Sequence, residues 1–134
     1  MMDRLTDTLN FQAQALTLRS ERQRLIASNI ANADTPGYVA REMDFAAALR
    51  EATGAAPPGN QMLATRPGHI APAAGAVSEA GLKYATPSQT NLDRNTVDMD
   101  RERAAFADNA VHYEATLRFI NGSVRTMLSA ITGQ

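Results

Sequence analysis

Few residues in this chain are placed to do covalent chemistry. It has two histidines, His69 and His112, and no cysteine. There is therefore no thiolate nucleophile, no thiolate metal site and no disulfide framework. His69 sits in the run Thr65-Arg66-Pro67-Gly68-His69-Ile70 without a second ligand at metal spacing. A loop-fixing hydrogen bond is its expected role. His112 stands beside Tyr113 on a helical stretch and reads as a flank residue, not a base. Acidic residues are mixed with arginines along helical segments, the pattern of solvated surface and ion pairs. The chain has no HExxH, no P-loop, no GxGxxG after a strand and no GxSxG. No catalytic activity, metal or cofactor is expected.

The densest polar constellation is Ser28 to Tyr38, read as SNIANADTPGY. Its groups form hydrogen bonds and do no bond-making chemistry. Asn29, Asn32 and Asp34 compete for backbone groups, which disfavours continued helix. Pro36 biases Thr35 out of the α region, and Gly37 permits a positive φ after it. Pro-Gly in that order signals a type II turn. The stretch ends a helix and redirects the chain. Its two asparagines and threonine exceed what a stop requires. They read as corner-fixing groups or as hydrogen-bonding groups between subunits.

The elements around this corner are mainly α-helical. The chain has 134 residues, 44% hydrophobic but only 5% aromatic, with no Trp. That composition suits helices packed through small residues better than a thick core. Net charge is −1, and all basic residues except Lys83 are Arg. This argues against nucleic acid as the main partner. No run approaches the roughly 18 apolar residues of a membrane span. Charges among residues 1–30 leave no unbroken apolar core for a secretory signal.

Three regions are expected: 1–53, 54–95 and 96–134, the first and last forming one core. Residues 3 to 33 read as one helix with two partial apolar stripes, implying more than one packing neighbour. Tyr38 to Arg41 reads as extended. Asp44 can cap a short helix, Phe45 to about Ala52, ended by Gly54. Phe45 and Leu49 form an i, i+4 pair on it. Residues 54–95 are rich in Pro and Gly and are expected to be irregular, partly β or disordered. Ile70, Val77, Leu82 and Tyr84 are their scattered apolar residues.

The last region carries a heptad. Asn95 or Asp98 can cap its helix, with Asp98, Asp100 and Glu102 at the positive end. One row is Arg103, Ala110, Leu117, Val124 and Ile131; the other is Phe106, Tyr113, Ile120 and Met127, extended upstream by Met99. The spacing alternates three and four, the rule of a coiled-coil seam. Such a helix of roughly 32 residues is roughly 48 Å long, and its seam needs a partner helix, in cis or in trans. Gly122 costs roughly 1 kcal/mol of helix propensity, which close approach of a neighbouring helix would explain, as would chance.

SNIANADTPGY also resembles the motif near the N-terminus of the bacterial flagellar rod, hook and hook-associated proteins. Ser28, Asn29, Ile30, Ala31, Asn32, Thr35, Pro36, Gly37 and Tyr38 all match. Asn95-Thr96-Val97-Asp98, Glu102, Asn109 and Tyr113, with the Thr65–Ile70 run, resemble the small proximal rod subunits of that family. The resemblance implies a structural subunit of the flagellar basal body, stacked helically through coiled-coil termini. It would transmit torque and line the export channel of the periplasm-spanning rod. Implied partners are other copies, other rod subunits, the MS-ring adaptor protein and the flagellar type III export apparatus, which would export the chain without a cleaved signal. Phe45-Ala-Ala-Ala-Leu49 resembles a short export-gate docking element, against the plainer reading of helix packing. The rival for the whole chain is a free α-helical interaction module, a regulator or chaperone with no polymer role.

Overall fold

The computed structural model describes residues 2–54, 82–87 and 91–133. His69, Ile70 and Val77 lie outside them. Among the described residues there are three helices and one two-stranded sheet, in the order α1 (Met2–Ala31), β1 (Arg41–Met43), α2 (Phe45–Ala52), β2 (Leu82–Tyr84) and α3 (Met99–Thr132). The fold is mainly α, with long N- and C-terminal helices.

Each boundary has a local cause. Helix α1 gives way where the Asn32 amide is shared between the carbonyls of Ser28 and Asn29, both at 3.2 Å. Asp44 caps α2, its Oδ1 accepting the Ala47 N–H at 3.1 Å. Gly54, with φ of 69°, lets the chain leave α2. Asp98 caps α3 by accepting from the Asp100 and Arg101 amides, and Asp100 and Glu102 lie in its first turn, where the helix dipole favours negative charge. Gly133, with φ of 73°, ends α3 by donating to the Ser129 carbonyl. At 34 residues, α3 is roughly 51 Å long.

Helices α1 and α3 run antiparallel. Asn29 meets Glu102 at one level, and Arg19 and Gln23 meet Asn109 further along. The strands are antiparallel, with Arg41 opposite Tyr84 and Met43 opposite Leu82. Just before Arg41 the Ala40 carbonyl accepts the Ala85 amide at 2.9 Å, while the Ala40 amide and the Tyr38 carbonyl bond Thr96. Among the described residues the buried apolar core is small: Ala15, Leu18, Ile26, Ala40, Met43 and Val97.

The row of α3 that meets α1 is partly polar. Asn109 and Thr116 are buried, and Glu102, Ala105, Tyr113, Ile120, Ser123 and Met127 are half-buried. Phe106, Ala110, Leu117, Val124 and Ile131 are exposed. The expected seam therefore divides in the single chain. Tyr113, Ile120 and Met127 lie between two faces, and the row from Ala110 to Ile131 runs along the open flank. The cause is register: Asn109 is tied to α1 by hydrogen bonds, which turns the neighbouring position 110 outward.

Candidate functional site

Three asparagines are fully enclosed: Asn29 and Asn95 at the corner, at 1% and 0% exposure, and Asn109 further along the α1–α3 pair, at 0%. Burying an amide is unfavourable unless its hydrogen bonds are made, so their partners define the site.

Asn95 holds the corner from the far side of the chain. Its Nδ2 donates to the carbonyls of Asn32 at 2.9 Å, Ala33 at 2.8 Å and Thr35 at 2.8 Å. Two N–H groups serve three acceptors, so at least one bond is shared. Its Oδ1 accepts the Val97 amide at 2.8 Å. Three carbonyls of the turn that follows α1 thus converge on a side chain sixty or more residues away, two of them, Asn32 and Thr35, also accepting the Thr35 and Tyr38 amides. Around this clamp, Gly37 N–H donates to the Asp93 carbonyl at 2.8 Å and Thr96 N–H to the Tyr38 carbonyl at 3.1 Å. Ala40 N–H donates to Thr96 Oγ1 at 2.8 Å.

Asn29 serves the other side. Its Nδ2 donates to the Arg41 carbonyl at 2.8 Å and to Glu102 Oε1 at 3.2 Å. Its Oδ1 accepts from the Tyr38 hydroxyl and the Arg41 amide, both at 3.2 Å. One side chain thus joins α1, β1 and α3. Asn32 works locally, donating to the Ser28 carbonyl at 2.8 Å and accepting from Thr35 Oγ1 at 3.2 Å. The Tyr38 amide returns to the Thr35 carbonyl at 3.2 Å, and Gly37 has φ of 73°. With Pro36 between them, this is the type II turn that Pro-Gly specifies. Ser28 and Ile30 are half-buried on the last turn of α1, and Thr35 and Pro36 are exposed.

The remaining candidates lie apart from this corner. Phe45 and Leu49 are half-buried on α2, and the Arg19 guanidinium stacks 4.3 Å from the Phe45 ring centroid, a cation–π contact. Burial lowers the Arg19 pKa, Arg22 adds to the effect and Asp108 opposes it. His112 is exposed on α3, with Nδ1 2.9 Å from the Asp108 carbonyl. Among the described residues, no cluster of His, Cys, Asp and Glu could hold a metal ion, and no helix is long and apolar enough to cross a membrane.

Sequence reasoning gave Asn95 only the role of a candidate helix cap, and Asn109 no role of its own. Both act across the fold, on segments that sequence distance does not bring together. The signal within reach was the type: an asparagine beside Val97 or among alanines is costly unless it meets a backbone group.

Residues 9–38, which span most of α1 and the corner, match the flagella basal body rod protein family. Similar proteins cover nearly the whole chain. The flagellar basal body rod protein FlgB of Proteus mirabilis strain HI4320 is 48% identical over 136 residues, 98% of each chain. That of Escherichia coli K12 is 43% identical over 134 residues, 98% of this chain and 97% of the relative. That of Cereibacter sphaeroides is 39% identical over 128 residues, 96% of both. On this agreement across both long helices and the corner, the chain belongs to the flagellar basal body rod protein family.

Proposed function

We propose that the chain is a proximal rod subunit that assembles helically with copies of itself and with other rod subunits through α1 and α3. The observation that carries this is the open apolar row of α3. Ala110, Leu117, Val124 and Ile131 recur at heptad spacing with Phe106 beside them, and all are exposed, from Leu117 at 37% and Val124 at 39% to Ile131 at 70%. A row of that length on one helix is more than scattered surface leucines. It fits a further helix laid along the hairpin, on a tube whose bore passes export substrates and whose wall carries torque.

Two features favour a subunit completed by its neighbours. Few apolar side chains among the described residues are fully buried, so the core between them is thin. The buried Gln12 Oε1 and Asn109 Oδ1 have no hydrogen-bond partner among the described residues, and such atoms weaken a helix pair. The corner then acts as a rigid joint between the helical layer and the segments outside it. Ser28, Asn29, Ile30, Asn32, Thr35, Pro36, Gly37 and Tyr38 are its assembly-determining residues. At its lower end the rod would meet the MS-ring adaptor protein. Export to the periplasm-spanning rod would use the flagellar type III apparatus, with Phe45 and Leu49 as a gate-docking element. That element is engaged with Arg19 in the folded chain, so it would be read before α2 docks.

Electron microscopy of basal bodies from cells lacking this chain tests the reading. Rods should be missing, and should return when the chain is supplied again. Intact rods in its absence would refute it. A free interaction module would instead leave rods unchanged and give a compact monomer or dimer at any concentration.

A further inference from the structure

The face that α3 turns towards α1 is the more polar of the two it could turn. Glu102, Asn109, Thr116 and Ser123 recur at seven-residue spacing and are buried or half-buried. One position on, Ala110, Leu117, Val124 and Ile131 are exposed. The row between them, Tyr113, Ile120 and Met127, is half-buried. A turn of α3 about its axis by about 50°, half the angle between consecutive residues, would keep that middle row in contact and exchange the other two. Leu117, Val124 and Ile131 would then face α1, and Thr116 and Ser123 would face water, an exchange that apolar burial favours. Thr116 does not oppose it, because its hydroxyl donates to the His112 carbonyl of its own helix at 2.9 Å. Two ties to α1 do. Glu102 Oε1, on the first turn beside the corner, accepts from Asn29 at 3.2 Å. Further along, Asn109 Nδ2 donates to the Arg19 carbonyl at 2.9 Å and to Gln23 Oε1 at 2.6 Å. Asn109 is 0% exposed, and its Oδ1 has no partner among the described residues. For stability alone an apolar residue would serve better there.

We propose that Asn109 is a positioning residue that pins α3 with its apolar row outward, at a cost in stability to the free hairpin. A buried asparagine in a helix pair selects one arrangement at the expense of stability. Here its amide reaches two acceptors one turn apart on α1, so a single side chain fixes both the rotation of α3 and its level. One of those acceptors is a backbone carbonyl, which no side-chain change on α1 removes. The purpose of the pin rests on the reading of the open row as the assembly surface. Without it the hairpin would cover that row with its own α1 and offer no seam to a neighbour. The pin itself is a property of the free chain.

The chain has no cysteine, so single introduced thiols report which row is covered. Thr116→Cys samples the covered row, Leu117→Cys the open row and Arg118→Cys the outer side of α3. Each is made in the full chain with Asn109 intact and with Asn109→Ala, and its rate of reaction with a small maleimide is measured under folding conditions, where exposure of the thiol sets the rate. With Asn109 intact, Leu117→Cys should react faster than Thr116→Cys. In Asn109→Ala the order should invert, Leu117→Cys slowing and Thr116→Cys quickening, so that their ratio changes by about tenfold or more. Arg118→Cys should react alike in both. An unchanged ratio would overturn the pin, and so would both thiols quickening together, which is what mere loosening of the pair produces. Should Asn109→Ala not fold, Gln23→Ala decides. It removes one of the two acceptors, and the ratio should move in the same direction by less; no movement refutes the pin. No rod enters these measurements. A failure here leaves the assembly reading standing, and a failure of that reading leaves these rates as they are.

Discussion

Replacing Asn95 tests the clamp most sharply, because the two natural substitutions should rank in an unusual order. Asn95→Ala removes the Nδ2 contacts to three carbonyls and the Oδ1 contact to Val97 at a site with 0% exposure. A buried polar group left without its partner costs about 1–3 kcal/mol; the Ala33 carbonyl and the Val97 amide lose theirs, while the Asn32 and Thr35 carbonyls keep the Thr35 and Tyr38 amides. Partial rescue by water in the vacated space reduces the sum, so a loss of about 2–4 kcal/mol is expected. Asn95→Asp keeps the size and the Oδ1 acceptor but turns an anionic oxygen towards those three carbonyls. At neutral pH it should be worse than alanine, although aspartate is the closer isostere. Asn32→Ala, which loses one donor bond and one acceptor bond at a half-buried side chain, should cost only about 1 kcal/mol. Denaturant unfolding with a common m-value gives all three numbers. An Asn95→Asp variant as stable as wild type would refute the clamp, since no donor would then be needed there.

Two further substitutions test the backbone. Gly122 lies in α3 with nothing within 4 Å of where a Cβ would stand, so Gly122→Ala should stabilise the free chain by about 1 kcal/mol; a loss in urea unfolding would mean that the helix is not formed there. Arg94 holds φ of 62° in the turn that places Asn95, a conformation costing a non-glycine residue about 1 kcal/mol. Arg94→Gly should therefore raise the denaturation midpoint or leave it unchanged, where a glycine at an ordinary loop position would lower it.

The parts of the fold that were legible in the sequence are those with local causes. Asp44 and Gly54 bound α2, Asp98 starts α3, and Thr35-Pro36-Gly37-Tyr38 turns the chain, each through contacts within four residues. The face that α3 turns towards α1 was not legible in this way. Its apolar stripe is wider than one helix contact, so periodicity gives the stripe but not which part of it meets α1. Asn109 decides that by bonding the Arg19 carbonyl and Gln23. An asparagine in a row of alanines and aromatics gives no hydrophobic signal. The role of Asn95 was hidden for the same reason: its acceptors are backbone carbonyls of a distant turn, and any residue type supplies those.

The central claim is that the open row of α3 is where the chain meets other subunits. Ala110→Arg with Val124→Arg places two charges on that row. Ala110 is exposed and Val124 is 39% exposed, so the arginine heads reach solvent and the stability of the single chain should change by about 1 kcal/mol in all. Electron microscopy of basal bodies from cells whose only copy carries both changes is the most direct measurement. The account predicts a folded, exported chain and basal bodies without a rod. Normal rods built from this variant would contradict it.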